Sequence, residues 1–422
     1  MVSGVLLANS GADKKVTVDE ILDQVLRDNF ESKIKAEKVY QAHHNVNVSI
    51  SRLLPGLNFS SVLAICTFAV PEITASSIGF IYPSNWFRWK ESAFFLKAEQ
   101  ASYATLLANI VNITESLLYR IFMLQKVKDI LGVYCDRTES ILAEVDRRLP
   151  NISRFKQAIY ETRNFLFLLR QDYNLLENEL AIIEYELLFN LGLDIKLWKK
   201  IEFAPIELPN PEEESPWLTK DFLWETIEKS QEISTISNLK KAAKYSILSR
   251  YFDFSLPSAD IDSNLGFGYI SQIKIGKSRV RQLEIELDRT RARMRLQVEK
   301  TVQNFNLSLK KFDNAIITKN NGEELVAHLL NELRENSYFD DNFLDGLAFA
   351  LRGDVSKIES IFSTLTLIAQ KRRLVWGSER YHSILKHALS RKDKKGIGLL
   401  KDLENKKIKR RAKNCSKSIS QT

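Results

Sequence analysis

The residues best placed to do chemistry are the aspartates in the stretch 340–345. Asp341 and Asp345 are four positions apart, which places both carboxylates on one face if this stretch is helical. Carboxylates that face a common space favour cations and repel anions. The alternative is an ordinary polar loop whose aspartates cap a helix, because Asp is among the preferred N-cap residues. The sequence alone leaves both interpretations open.

The sequence carries none of the common catalytic signatures. It has no Gly-rich phosphate loop, no nucleophile elbow and no His-Glu-x-x-His zinc motif. His382 and His387 are five apart, a poor spacing for two ligands on one helix face. The pair His43 and His44 is typical of a solvated surface, and the three cysteines show no metal-ligand or redox spacing. We therefore expect no enzymatic activity, no cofactor and no bound metal.

The positive charge is concentrated at the C-terminal end. The whole chain has a net charge of +8, whereas residues 391–422 hold twelve Lys or Arg and three Asp or Glu, a net of +9, so the rest is close to neutral at −1. Nucleic-acid affinity depends on clustered cations, so we expect the body to bind no nucleic acid. A nucleic-acid binder that uses this tail remains an alternative. The six arginines between 279 and 295 alternate with acids and are typical of a solvated helix face.

Very long helices are predicted to position these residues. Residues 86–149 contain no proline and one glycine, and their apolar residues recur at three- and four-residue spacing. At ~1.5 Å per residue such a helix is roughly 95 Å long, which indicates a coiled coil, a helical array or a tube. A second long helix is predicted over 277–321, ending at Gly322. Shorter helices are predicted over 16–53, 152–190, 222–249, 323–335 and 347–390.

Two regions are predicted to be β-strands. Residues 57–82 contain apolar runs at 62–70 and 78–82, which fit a buried hairpin, a transmembrane helix or two transmembrane strands. We favour strands, because a membrane helix needs ~20 residues and a membrane strand only ~9–11. Residues 251–256 and 265–275 alternate between apolar and polar side chains, the pattern of a barrel wall or of an amphipathic soluble sheet.

The same order of elements occurs twice. A first repeat, 16–192, and a second, 220–390, each contain a helix, two strands, a very long helix, a break and a further helix. Residues 193–219 form a proline-rich linker that cannot be helical. Residues 1–15 resemble the end of a secretory signal, or they form a short apolar arm. The basic tail, 391–422, is expected to be disordered.

Five segments are similar to those of one known family. They are an opening helix at 18–29, the helix-to-strand junction Leu-Leu-Pro-Gly-Leu-Asn-Phe at 53–59, a strand exit at 81–88, a second exit at 275–279, and the linker around 207–209. In these segments the chain resembles the outer membrane efflux protein family, the TolC-like channels. The resemblance extends over nearly the whole chain.

The resemblance implies a fold and an assembly. The protein would be mainly α-helical, with long antiparallel helical hairpins and short transmembrane β-strands. As a homotrimer, it would contribute four strands from each protomer to a twelve-stranded barrel on an α-helical tunnel. Such a barrel must close, because open strand edges cannot be satisfied in lipid. The expected location is the outer membrane of a Gram-negative bacterium, extending into the periplasm.

The resemblance also implies a function without chemistry. The chain would be the exit duct of a tripartite efflux pump or a type I secretion system, working with a periplasmic adaptor protein and an inner-membrane transporter. Asn342 and Asp345 match the acidic positions of a constriction ring at the periplasmic mouth, with Asp341 beside them. The expected adaptor contacts at the helix tip are Leu149, Pro150, Asn151, Ile152 and Ser153.

A soluble coiled-coil scaffold of the same fold is the rival hypothesis. The predicted strand at 265–275 separates the two, since a lipid-facing strand directs Leu265, Phe267, Tyr269 and Ile273 outward. The scaffold would be water-soluble and would never enter a membrane.

Overall fold

The structure, a computed structural model, is built of long α-helices. It describes residues 17–54, 82–148, 155–193, 224, 227–252, 268–336, 339 and 342–375. The principal elements are α1 (Val18–Asp28), α2 (Phe30–Ser51), α3 (Pro83–Arg148), α4 (Lys156–Leu191), α5 (Gln231–Tyr251), α6 (Gly268–Asn336) and α7 (Asn342–Val375). All of them belong to one compact unit.

Two helices are much longer than the others. α3 has 66 residues and α6 has 69, so each is roughly 100 Å long. The bounds of α3 are close to the predicted 86–149, and α4 is close to the predicted 152–190. α4 ends at Gly192, whose φ of 64° is the left-handed conformation that glycine adopts without strain. A Cβ there would lie 2.7 Å from the carbonyl oxygen of Asp28, so the site also lacks room for a side chain.

The helices pack side by side in two rows that share α3 and α6. In one row the order is α2, α3, α5 and α6, and in the other it is α4, α3, α7 and α6. The first row contains the ends of the helices that lead into residues 55–81 and 253–267. The second row contains the opposite ends of α3 and α6. Each row therefore has an outer helix at each edge.

The predicted helix over 16–53 is two helices. Thr17 caps α1 with a capping box, in which its side chain accepts from the backbone N–H of Glu20. Asn29 then separates α1 from α2: its side-chain oxygen accepts from the N–H of Ser32, and its Nδ2 donates to the carbonyl of Asn190. This contact with the end of α4 stabilises the break. No local sequence pattern predicts the contact, because Asn29 and Asn190 are far apart in the chain.

The strand predicted over 265–275 is wrong for residues 268–275, which are the first two turns of α6. A spacing of three to four residues, which is helical, places Tyr269, Ile273 and Gly276 on one face. Ile273 is buried, the Tyr269 hydroxyl donates to the carbonyl of Tyr251, and Gly276 lies against Ile247. Packing on α5 thus overrides the alternation of side chains. The strand predicted over 251–256 is wrong for Tyr251, the last residue of α5, and for Phe252, its C-cap. The other predicted strand residues, 57–81, 253–256 and 265–267, lie outside the described residues.

Among the described helices, α3 is the one whose length and composition would allow it to cross a membrane. In its most apolar window, 44% of the residues are buried inside the protein. The core helix of a packed bundle has the same properties, so this observation does not assign a membrane span.

Candidate functional site

The structure places two of the predicted constriction residues at the start of α7. Asn342 is the first residue of α7, and Asp345 lies in its first turn; both side chains are exposed. Asp341 lies outside the described residues. So do the five predicted adaptor contacts: Leu149, Pro150, Asn151, Ile152 and Ser153.

The helix ends that flank both predicted breaks pack into one apolar core. Its buried members come from four helices: Ile141, Leu142 and Val145 of α3, Ala158 and Ile159 of α4, Val326 and Leu333 of α6, and Phe343, Leu347 and Ala350 of α7. The end of α3, the start of α4, the end of α6 and the start of α7 therefore meet at one end of the described helices. We call this end the tip.

Phe343 holds the first turn of α7 in the tip core. It is 1% exposed, and its ring centroid lies 5.5 Å from that of Phe339. Leu347, one turn later, is fully buried. Asn342 and Asp345 are about 100° and 200° around the helix from Phe343, so burial of the phenylalanine directs both polar side chains away from the core.

Glycines allow α6 and α7 to approach closely behind the tip. A Cβ on Gly322 would lie 2.3 Å from the backbone nitrogen of Ala350, and one on Gly353 would lie 2.4 Å from that of Lys319. The prediction that Gly322 ends the helix is therefore wrong, because this glycine is a contact position inside α6. The predicted break up to residue 346 is also too long, since α7 begins at Asn342.

A group of five polar side chains, which we call the polar bridge, joins α3 to α6 and α7 near the tip. Arg137 donates two hydrogen bonds to the two carboxylate oxygens of Glu323, at 2.8 and 2.7 Å. The Tyr134 hydroxyl donates to Asp354 at 3.1 Å, and Lys319 Nζ lies 2.8 Å from the other oxygen of Asp354. A bidentate arginine fixes relative orientation as well as distance, so the bridge sets how α6 and α7 lie against α3.

The pKa values of Glu323 and Tyr134 in the bridge are shifted in opposite directions. Hydrogen bonds from Arg137 lower the pKa of Glu323 below the ordinary value of 4.5. The stability that Glu323 contributes is therefore present above its unfolded pKa and lost as the pH falls through its lowered folded value. Burial, and then the charge of Asp354, raise the pKa of Tyr134 above 10, so the phenol remains a donor into strongly alkaline solution. The bridge thus weakens on the acid side.

Sequence reasoning missed the polar bridge because its partners are far apart in the chain. Arg137 and Glu323 are 186 residues apart, and Tyr134 and Asp354 are 220 apart. The sequence does show that Tyr134 and Arg137, three apart, and Lys319 and Glu323, four apart, each share a helix face. Nothing in the sequence pairs those two faces.

The part of the chain that the structure describes contains no group of side chains suited to bind a metal ion. No three His, Cys, Asp or Glu residues there could hold a metal ion. His44 is exposed, and burial and the neighbouring His44 lower the pKa of the half-buried His43. His382 and His387 fall outside the described residues.

Comparison with known proteins identifies the fold. No protein-family profile and no curated protein sequence matches the chain. Solved structures do match: the CmeC outer membrane channel of Campylobacter jejuni has a TM-score of 0.68 at 12% identity, over 88% of this chain and 89% of CmeC. The outer membrane protein VceC of Vibrio cholerae has a TM-score of 0.70 at 8% identity, over 85% of this chain and 95% of VceC. The chain therefore has the fold of these outer membrane channels.

Proposed function

We propose that this chain, which has the fold of TolC-like outer membrane channels, is itself a passive outer-membrane channel. It would be the exit duct of a tripartite efflux pump or a type I secretion system in a Gram-negative bacterium, and it would catalyse no reaction. The observation that carries this proposal is the likeness to CmeC and VceC, which extends over at least 85% of both chains in each comparison.

The edges of the helical wall support assembly into a homotrimer. Apolar side chains that are 52–68% exposed lie on the outer helices of both rows: Phe30 and Tyr40 of α2, Phe167 of α4, and Ile285 and Leu296 of α6. An apolar edge needs a partner, and copies that join edge to edge by a constant rotation close into a ring. Three copies of the wall would enclose a channel.

The end opposite the tip is where the proposed barrel would attach. Asn85 Nδ2, near the start of α3, donates to the carbonyl of Arg52 after α2. Phe87 of α3 stacks on Phe252 after α5, with ring centroids 5.4 Å apart. The segments 55–81 and 253–267 therefore leave the helices at the same end, as two strand pairs of one barrel would require.

We propose the tip as the periplasmic mouth. Asp341, Asn342 and Asp345 would line a constriction, and the exposed position of Asp345 in the first turn of α7 is compatible with a ring of three carboxylates. Residues 149–153 would contact the periplasmic adaptor, which in turn reaches the inner-membrane transporter.

If the carboxylate ring exists, multivalent cations should block the current through the channel. A multivalent cation added on the tip side of a reconstituted channel should reduce its single-channel current, because three carboxylates attract it. Asp345→Asn should weaken this block about tenfold or more, whereas Asp129→Asn, which removes an exposed carboxylate of α3 that pairs with Lys126, should not. Unchanged block in the Asp345→Asn variant would remove this residue from the constriction.

The channel predicts a trimer in the outer membrane. After fractionation of the producing cell and carbonate washing, an unheated gel of the membrane fraction should show a band of about three times the 48.6 kDa chain. Boiling should convert that band to the monomer. Recovery in the soluble fraction would contradict the channel and favour the alternative, a soluble coiled-coil scaffold with the same fold.

A further inference from the structure

A cavity of about 450 Å³ lies at the barrel end of the first row of helices. All four helices of the row line it: Val48 on α2, Glu91 and Phe95 on α3, Arg250 on α5 and Arg279 on α6, with Arg52 just after α2. We call this the basic cavity. It is unrelated to the tip, which lies at the other end of α3 and α6.

The basic cavity lies on the inner side of the curved wall. α2 and α6 are the two outer helices of the row, yet Arg52 and Arg279 line the same cavity. A row of four helices brings its outer members to one cavity only on its concave side. In the proposed ring of three walls, the concave side is the channel interior.

The charge of the cavity is positive. Three arginines, Arg52, Arg250 and Arg279, face a single carboxylate, Glu91. Burial raises the pKa of Glu91, and the hydrogen bond with Ser246 and the charges of nearby arginines act against the rise. One carboxylate against three guanidinium groups leaves the cavity with a net positive charge. Arg250 donates from one nitrogen to the carbonyl of Gln272, which leaves the other donors of the guanidinium for a ligand.

Apolar side chains also line the cavity, beside the polar Asn45, Ser49, Ser92 and Ser246. Phe95 is 41% exposed and Ile275 is 65% exposed, and Val48, Leu239 and Leu283 complete the surface. Large apolar side chains that face a water-filled space gain free energy when an apolar group covers them. The wall therefore suits a ligand with an apolar body, and the arginines suit an anionic group on that body.

We propose that the basic cavity binds amphipathic anions, molecules with an apolar body and one sulfonate, carboxylate or phosphate group, as they pass through the channel. The proposal rests on the proposed function, which it deepens by naming a class of cargo. Arg250 and Arg279 hold the anionic group, and Phe95 and Leu283 contact the apolar body.

The test uses two dyes that differ in one charged group. The full chain is reconstituted in a planar bilayer, and its current is measured with anilinonaphthalene sulfonate and, separately, with the uncharged N-phenylnaphthylamine. The sulfonate should block the current, and the uncharged dye should need about tenfold more or fail to block. Arg279→Gln should raise the half-blocking concentration of the sulfonate about tenfold, since a charge-assisted hydrogen bond is lost.

Arg281→Gln is the matched control. Arg281 is two residues along α6, about 200° around the helix from Arg279, and is absent from the cavity wall. Its loss should leave the block unchanged. Equal block by the two dyes, or equal block in both variants, would overturn the site while the wild-type current still supports the channel. Absence of any wild-type current would instead overturn the channel and the site together.

Discussion

Phe343→Ala is expected to destabilise the tip by roughly 3–5 kcal/mol, the cost of emptying a buried phenylalanine site in a packed core. The side chain is 1% exposed and touches Phe339 in a core built from four helix ends, so no single helix can move to fill the space. Hydrogen exchange of the backbone amides of residues 342–350 should accelerate strongly. In the proposed channel, the turn that carries Asp345 would lose its anchor and the current at rest would rise.

Phe349→Ala is the control for this substitution. Phe349 lies on the same helix but is 47% exposed, so its truncation should change stability by roughly 0.5 kcal/mol or less. If both variants exchanged their tip amides at the wild-type rate, Phe343 would not be the anchor of α7. If both accelerated exchange equally, the effect would come from loss of a phenylalanine anywhere on α7.

The long helices could be predicted from the sequence because their information is local. The absence of proline and the apolar spacing over 86–149 are enough to place α3 within a few residues. The cap at Thr17 and the stop at Gly192 are local as well, since each depends on backbone groups within one turn.

The wrong predictions arose where tertiary contacts decide. Glycine is a residue type that often ends a helix, and the sequence predicts that Gly322 does so. Instead the backbone of Ala350, on another helix, lies against Gly322. Residues 268–275 alternate like a strand, but Ile273 and Gly276 also fall on one helical face that packs on α5. A segment this short can match both the two-residue period of a strand and the 3.6-residue period of a helix. Packing against the neighbouring helix then decides which structure forms.

The candidate sites depend even more on distant pairing. Asp345 could be singled out because its own neighbours are acidic. The polar bridge and the basic cavity could not, since Arg137 and Arg279 acquire their roles from residues on other helices. The sequence predicted the arginines around 279–295 to be a solvated face, which fits Arg289 and its pairing with Glu286. Arg279 is exposed as well, as predicted, and it also lines the basic cavity.

Gly353→Ala should test whether close contact between α6 and α7 is required. The added Cβ would lie 2.4 Å from the backbone nitrogen of Lys319, and backbone cannot rotate away as a side chain can. Overpacking of this kind costs roughly 1–3 kcal/mol, against which alanine regains ~1 kcal/mol through its higher helix propensity. Thermal unfolding followed by circular dichroism should therefore shift to lower temperature.

Gly132→Ala separates the packing cost of an added Cβ from its gain in helix propensity. It makes the same chemical change inside α3, at a position that has room for the Cβ. The nearest atom to its added Cβ is Cε2 of Tyr173 at 3.9 Å, an ordinary contact. This variant should gain up to ~1 kcal/mol and unfold at a higher temperature than the wild type. Opposite signs for the two variants would locate the cost in the α6–α7 contact. A gain at Gly353 as well would mean that α6 and α7 can separate freely, and the glycines would then have no role in holding the tip.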